Sequence, residues 1–137
     1  MEINIWAVLV CAVLSMVVGS VWYGPLFGQR WMEVCKVDKT DLAARKKMQQ
    51  EAMPLYLVQF VVTLFQVYVL AHFIEAWSDA PGVEIAIWIL AAFVLPTTAA
   101  ASMWTAEPTR IKWARFLIQG GYYVVLFVLF GAILRAW

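Results

Sequence analysis

INIWAVLVCAVLSMVVGSVW, from Ile3 to Trp22, runs 20 residues without an Asp, Glu, Lys or Arg. At ~1.5 Å per residue a helix of that length just crosses a hydrocarbon core of ~30 Å. The emptiness recurs. Glu2 and Arg30 bracket 27 uncharged residues, Glu51 and Glu75 bracket 23, Glu84 and Glu107 bracket 22, and Arg115 and Arg135 bracket 19. All 19 formal charges of the 137-residue chain therefore fall in the other 46 positions. Soluble helices of such length need a polar face, and these stretches carry no ionised group to build one. A soluble globular domain and a disordered chain are both excluded. A net charge of +1 supplies no field for phosphates, so no nucleic-acid partner is expected. The expectation is all-α: a single-domain integral membrane protein, residues 1–137, folded as a four-helix transmembrane bundle.

The runs are continuous rather than alternating, which favours helices over the ~10-residue strands of a membrane barrel. Spans are expected at about 3–22, 54–77, 85–104 and 113–137. Trp6, Trp22, Trp77, Trp88, Trp104, Trp113 and Trp137 lie near their ends, where amphipathic rings favour the headgroup layer. Nine of the ten basic residues fall on one side: Arg30, Lys36, Lys39, Arg45, Lys46 and Lys47 in the loop 23–53, then Arg110, Lys112 and Arg115. The opposite turn holds Asp79 and Glu84 and no base. The positive-inside rule then puts both basic loops in the cytoplasm and both termini outside. Met1-Glu2 supplies no basic n-region, so the first run reads as a span rather than a cleaved signal.

Within the cytoplasmic loop, Gly24-Pro25 is expected to end the first helix. Trp22, Tyr23, Pro25, Phe27, Gly28 and Trp31 form a compact aromatic motif at the interface. Asp38 or Thr40 is positioned to cap a short basic helix over residues 42–48, and Pro54 suits the first turn of the second span. That basic helix fits anionic lipid or a protein partner; the plainer reading is a solvated connector. Cys11 lies within a span and Cys35 in the loop, too far apart to pair, and no metal-ligand spacing occurs.

Polar side chains inside hydrocarbon are where function is sought first. Ser15, Gln59, Thr98 and Gln119 each lie five to seven residues from the cytoplasmic end of a span, roughly 8–10 Å deep. Gln59, Thr63 and Gln66 share one helix face; Arg115, Gln119 and Tyr122 share another. Thr97 adjoins Thr98, and Pro96 withholds an amide from the third helix beside them. One reading is a cytoplasm-facing polar pocket for a small solute or ion, gated by Tyr122 or Tyr123. The other is a set of interhelical hydrogen bonds worth ~0.6 kcal/mol each. Ala7, Cys11, Ser15 and Gly19, spaced by four, form a small-residue ridge that admits another helix, from the same chain or a second copy. Four helices enclose little volume, so conduction would call for a homo-oligomer.

His72, the only histidine, is a candidate pH sensor near the outer end of the second span. The alternative is an interfacial residue bonded near Tyr68 or Glu75. A catalytic role finds no candidates. No carboxylate lies inside a span, and Ser15 and Ser102 sit toward the side opposite His72. There is no phosphate loop or dinucleotide fingerprint. No cofactor or metal is expected, and the chain reads as non-enzymatic.

Three sequence patterns carry a family resemblance: Trp22-Tyr23-x-Pro25-Leu26-Phe27-Gly28-x-x-Trp31, Phe93-Val94-Leu95-Pro96-Thr97, and Gly121-Tyr122 with Gly131-Ala132-Ile133-Leu134-x-x-Trp137. With these the chain resembles the bacterial membrane family catalogued as domain of unknown function 1761. Gly24 stands where that pattern has Ser, and Ala92 where it has Gly. The resemblance implies a four-helix membrane protein and carries no activity, substrate or catalytic residue; the expected location is the bacterial inner membrane. The expected function is a small non-catalytic membrane protein, a pore or carrier binding at the polar layer. The alternative is a structural or assembly partner acting through the first helix and the basic loop. Expected partners are membrane lipids, a second copy, and a small solute or ion.

Overall fold

In a computed structural model of the chain, residues 2–38 and 40–137 are described; Met1 and Lys39, the latter one of the bases counted in the first loop, lie outside them. Helix makes up 84% of the described residues, which contain no strand, so the uncharged stretches form an all-α membrane bundle. The helices are α1 (Ile5–Val21), α2 (Gly28–Val34), α3 (Leu42–Ala76), α4 (Gly82–Ile89), α5 (Leu95–Met103) and α6 (Thr109–Ala136). A π turn, Trp22–Leu26, prolongs α1, and a second, Leu90–Val94, fuses α4 to α5. Four continuous helical stretches result: Ile5–Leu26, Leu42–Ala76, Gly82–Met103 and Thr109–Ala136. Each is long and apolar enough to cross a membrane.

Three expectations about helix ends are corrected. Gly24-Pro25 does not terminate the first helix. Phe27 N–H donates to Trp22 O at 2.9 Å, five residues back, and this wider turn absorbs the proline ring that an α-turn would drive into a carbonyl. The π turn before Pro96 has the same form, with Leu95 N–H bonded to Leu90 O. Pro54 does not begin the second span. Helix α3 starts twelve residues earlier and passes through it. A 35-residue helix is ~52 Å long, so about two fifths of it stands beyond a ~30 Å core. Its excess is the charged part around Arg45, Lys46, Lys47 and Glu51, where water can take the carbonyl that Pro54 leaves unpaired. The cap is Asp41, whose carboxylate accepts from Ala44 N–H at 3.0 Å, rather than Asp38 or Thr40. Asp38 instead closes a tight turn onto the Thr40 amide and hydroxyl, which hold its carboxyl below the usual carboxylate range.

Helix α6 is the centre of the bundle and touches every other helix. Cys11 from α1, Val67, Leu70 and Ile74 from α3, Ile85 and Ala86 from α4, and Phe127 and Phe130 from α6 build one buried cluster. Lipid tails are as apolar as these side chains, so cohesion comes from close packing rather than from the hydrophobic effect. The tightest approach is between α4 and α6. A Cβ on Gly131 would stand 2.6 Å from Gly82 O and 2.7 Å from Val83 Cα, so only hydrogen fits.

Beside that contact, Arg135 reaches across to the end of α3. Its Nη2 lies 2.9 Å from Ile74 O, 2.9 Å from Trp77 O and 2.6 Å from Ala80 O. Ile74 O and Trp77 O lie at the C-terminus of α3, where a cation is favoured by the dipole, and Ala80 O lies in the turn that follows. Asn4 caps α1 by accepting from Trp6 and Ala7 N–H, and its amide reaches Trp137 O at 3.4 Å. One end of the bundle is thus tied together. The other end of α3 is not: from Leu42 to Val62 it has no buried residue.

Helix α2 stops in a Schellman turn. Val37 N–H bonds Met32 O, Lys36 N–H bonds Glu33 O, and Lys36 itself takes φ 61°.

Two substitutions test these contacts by denaturation in detergent. Gly131→Ala forces backbone apart and is expected to lower stability by about 2–3 kcal/mol. Lys36→Gly relieves a left-handed conformation that glycine adopts freely and is expected to raise stability by about 0.5–1 kcal/mol.

Candidate functional site

Most of the residues expected in one polar layer fall into two groups, with Arg115 and Gln119 outside both. One group is spent on packing. Ser15 is buried, its hydroxyl donates to Ala12 O at 2.6 Å, and its carbonyl accepts from the Tyr122 hydroxyl at 2.8 Å. That hydroxyl fills the space a Cβ on Gly19 would approach to 3.1 Å, so Tyr122 locks α6 to α1 and does not stand at the mouth of a pocket. Ala7, Cys11 and Ser15 of the small-residue ridge are buried, with α1 packed on α3 and α6 of the same chain. Thr63 is buried as well. It donates to Gln59 O at 2.7 Å and accepts from Gln59 Nε2 at 3.1 Å, both within α3.

The second group meets in a groove. Gln66 of α3, Thr97 and Thr98 of α5 and Tyr123 of α6 line a cavity of about 250 Å³ with Phe93 and Val94 of the π turn. It is open along one side. Its origin is the divergence of the spans: α3 packs on α4 near their shared turn but makes no comparable contact with α5. The threonine hydroxyls already donate within their own helix, Thr97 to Phe93 O at 2.6 Å and Thr98 to Val94 O at 2.8 Å. They face the groove as acceptors, while the Gln66 amide and the Tyr123 hydroxyl supply donors. No ionisable side chain other than Tyr123 takes part. Gln119, half-buried on α6, lines no described cavity.

Arg115 belongs to a different site at the basic end. It pairs with Glu107 at 2.7 Å, with side chains only 20% and 16% exposed, and the second Glu107 oxygen is buried without a partner. Arg110 and Glu33, at 3.0 Å, are 66% and 34% exposed and tie α6 to α2 far more weakly. The aromatic motif packs here too. Trp22 Nε1 donates to Ile118 O at 2.9 Å, and Tyr23 meets Trp31 and Tyr122 edge-on at 4.9 and 5.4 Å. Pro25 sits in the π turn, Trp22 and Phe27 rings lie 4.7 Å apart, and Gly28 opens α2. Cys35 follows at the surface. Burial pushes its thiol above the ordinary value and nearby Glu107 adds to this, against the opposing pull of Arg115.

His72 is half-buried, its Nδ1 donating to Tyr68 O at 2.9 Å with the two rings 4.6 Å apart. Among the described residues no three His, Cys, Asp or Glu side chains are grouped to hold a metal ion. A second cavity, about 270 Å³, lies at the terminal end between Glu2, Asn4, Ala71, Glu75, Arg135 and Trp137.

Sequence reasoning passed over Glu107 and Arg135. Glu107 precedes its partner by eight residues across a proline turn, a separation no helical periodicity links. Arg135 was only the one base on the wrong side.

The fold defines a small helical membrane protein, and its groove between α3, α5 and α6 is lined by no formally charged side chain. The chain belongs to the family described as protein of unknown function (DUF1761), which matches residues 6–135. No curated protein and no solved structure matches it.

The Arg115–Glu107 pair is testable by a double-mutant cycle. Arg115→Leu strands a buried carboxylate and is expected to cost about 2–4 kcal/mol of stability in thermal or denaturant unfolding. Adding Glu107→Gln is expected to recover at least half of that loss, because the uncompensated charge is gone.

Proposed function

We propose that this chain is a small non-catalytic multi-pass protein of the bacterial inner membrane that binds a small uncharged polar solute in the groove between α3, α5 and α6. The observation that carries the reading is the groove itself: three spans deliver Gln66, Thr97, Thr98 and Tyr123 to one opening, donors and acceptors together, with no formal charge among them. Such a lining favours hydroxyl, carbonyl or amide groups over ions, which would be left without a counter-charge. Oligomerisation would turn this binding element into part of a carrier or pore. Carboxylate-driven catalysis or coupling has no candidate at the groove, and Glu107 is held by Arg115 away from it.

The second reading is a structural or assembly partner in the membrane. What favours it is the uncovered first half of α3 with Arg45, Lys46 and Lys47 at its start. The first-helix ridge contributes less to that reading, since α1 is already packed within the chain. Both readings take the basic loops as cytoplasmic and the termini as outside, on the charge bias alone. Anionic lipid headgroups are the natural partners of the basic end.

Flux and binding in proteoliposomes, across a panel of neutral polar solutes and ions, test the first reading. Gln66→Leu and Thr98→Val are expected to cut uptake of the active solute at least about tenfold, the loss of one or two hydrogen bonds. Melting temperature should stay within a few degrees of wild type. Uptake unchanged in both variants, or no flux for any solute, would sink the groove. Orientation is read from Cys35. A membrane-impermeant maleimide is expected to label it in inside-out vesicles and not in intact spheroplasts, faster as pH is raised because the thiol titrates above its ordinary value. The reverse pattern overturns the topology.

A further inference from the structure

Apolar side chains standing alone on a membrane helix need only lipid, because acyl chains solvate them as well as another helix does. On the first half of α3, Leu55, Leu57, Val61 and Val62 are 53–68% exposed and raise no difficulty of that kind. Gln59 does. It is exposed among them, its Nε2 is given to Thr63 of its own helix, and no described donor faces its Oε1. Acyl chains satisfy no amide. A second glutamine does, since the group carries donors and an acceptor and two copies can bond reciprocally across a two-fold axis.

The spacing around Gln59 points the same way. Met48, Ala52, Leu55, Gln59, Val62 and Gln66 follow one another at alternating intervals of four and three, the seam of a left-handed helix pair. Gln59 and Gln66 occupy the same seam position one heptad apart, where a polar residue fixes register and the number of strands. Arg45, one heptad before Ala52, marks where the seam ends, because two guanidinium groups would meet there. At 100° per residue this seam lies roughly 70° around α3 from the face that Thr63, Val67, Leu70 and Ile74 press into the bundle. Its middle members Leu55, Gln59 and Val62 are exposed in the single chain, Met48 and Ala52 are partly covered, and its last member, half-buried Gln66, lines the open groove.

We propose that a second copy of this chain packs its α3 parallel to the first along this seam, about a two-fold axis along the membrane normal, with the two Gln59 amides paired. The partner helix then closes the open side of the groove next to Gln66. That closure rests on the groove being a binding site; the pairing does not.

Single cysteines in the full chain, with Cys11→Ala and Cys35→Ser, test the contact by oxidation in native membranes. Leu55→Cys and Val62→Cys are expected to form dimers, whereas Leu57→Cys and Val61→Cys, as exposed but off the seam, are not. Energy transfer between labelled copies in lipid bilayers supplies the second measurement. Gln59→Leu is expected to weaken association about five- to tenfold, as two membrane hydrogen bonds would, with Gln59→Asn retaining most of it. Equal cross-linking at all four positions overturns the proposal. So does no cross-linking, which assigns the face to lipid, or a Gln59→Leu protein that associates as tightly as wild type. Neither measurement needs a ligand, so failure here leaves solute binding in the groove standing, and failure of solute binding leaves the pairing standing.

Discussion

The bundle is pinned at one end, and the rest of its shape follows from that. Gly82 and Gly131 bring α4 and α6 into backbone contact, and four residues beyond Gly131 the Arg135 guanidinium gathers carbonyls from the end of α3 and the turn after it. Three spans are thereby fixed to one another within a few ångströms. A helix held at one end is free to diverge along its length, and α3 does so: it keeps α1 along its second half, loses α5, and has nothing buried before Thr63. The groove and the bare seam are two consequences of one divergence. The first opens where α3 leaves α5; the second is the flank exposed by leaving.

The spans could be read from charge because an ionised side chain in hydrocarbon is so costly that ~20 residues without one mark a crossing. Helix ends could not be read so closely. The rule that proline stops a helix assumes α-geometry and available water. In a membrane an unpaired backbone group has no solvent to turn to, so the chain keeps its helix and widens one turn instead, at Trp22–Leu26 and again at Leu90–Val94. At Pro54 the opposite circumstance gives the same continuity. Water is near, and the lost bond is tolerable. Neither outcome is written in the identity of the proline.

Depth was legible and azimuth was not. Counting residues from the tryptophans put Ser15, Gln59, Thr98 and Gln119 at a common level, yet level says nothing of which way a side chain faces. That depends on which neighbour each helix packs against. Tyr122 and Tyr123 illustrate it: adjacent in sequence, they sit about 100° apart, one bonded to the Ser15 carbonyl and the other in the groove. Arg135 and Glu107 were overlooked for a related reason. Their partners are backbone carbonyls of another helix and a base beyond a proline turn, pairings that only the folded chain creates.

Hydroxyls and amides behave differently in this setting, and the difference locates what is left unspent. Ser15, Ser20, Thr63, Thr97, Thr98 and Ser102 each donate to a carbonyl three or four residues back in their own helix. A hydroxyl has one proton, so once it is given inward the side chain is nearly neutral toward its surroundings. A glutamine has two protons and a carbonyl and reaches further from the backbone. It cannot close on its own helix completely. Gln59 satisfies one proton on Thr63, and Gln66 has no partner among the described residues. Of the amide side chains in the uncharged stretch of α3, these two keep bonds to offer, and both lie on the flank that faces the groove and the bilayer.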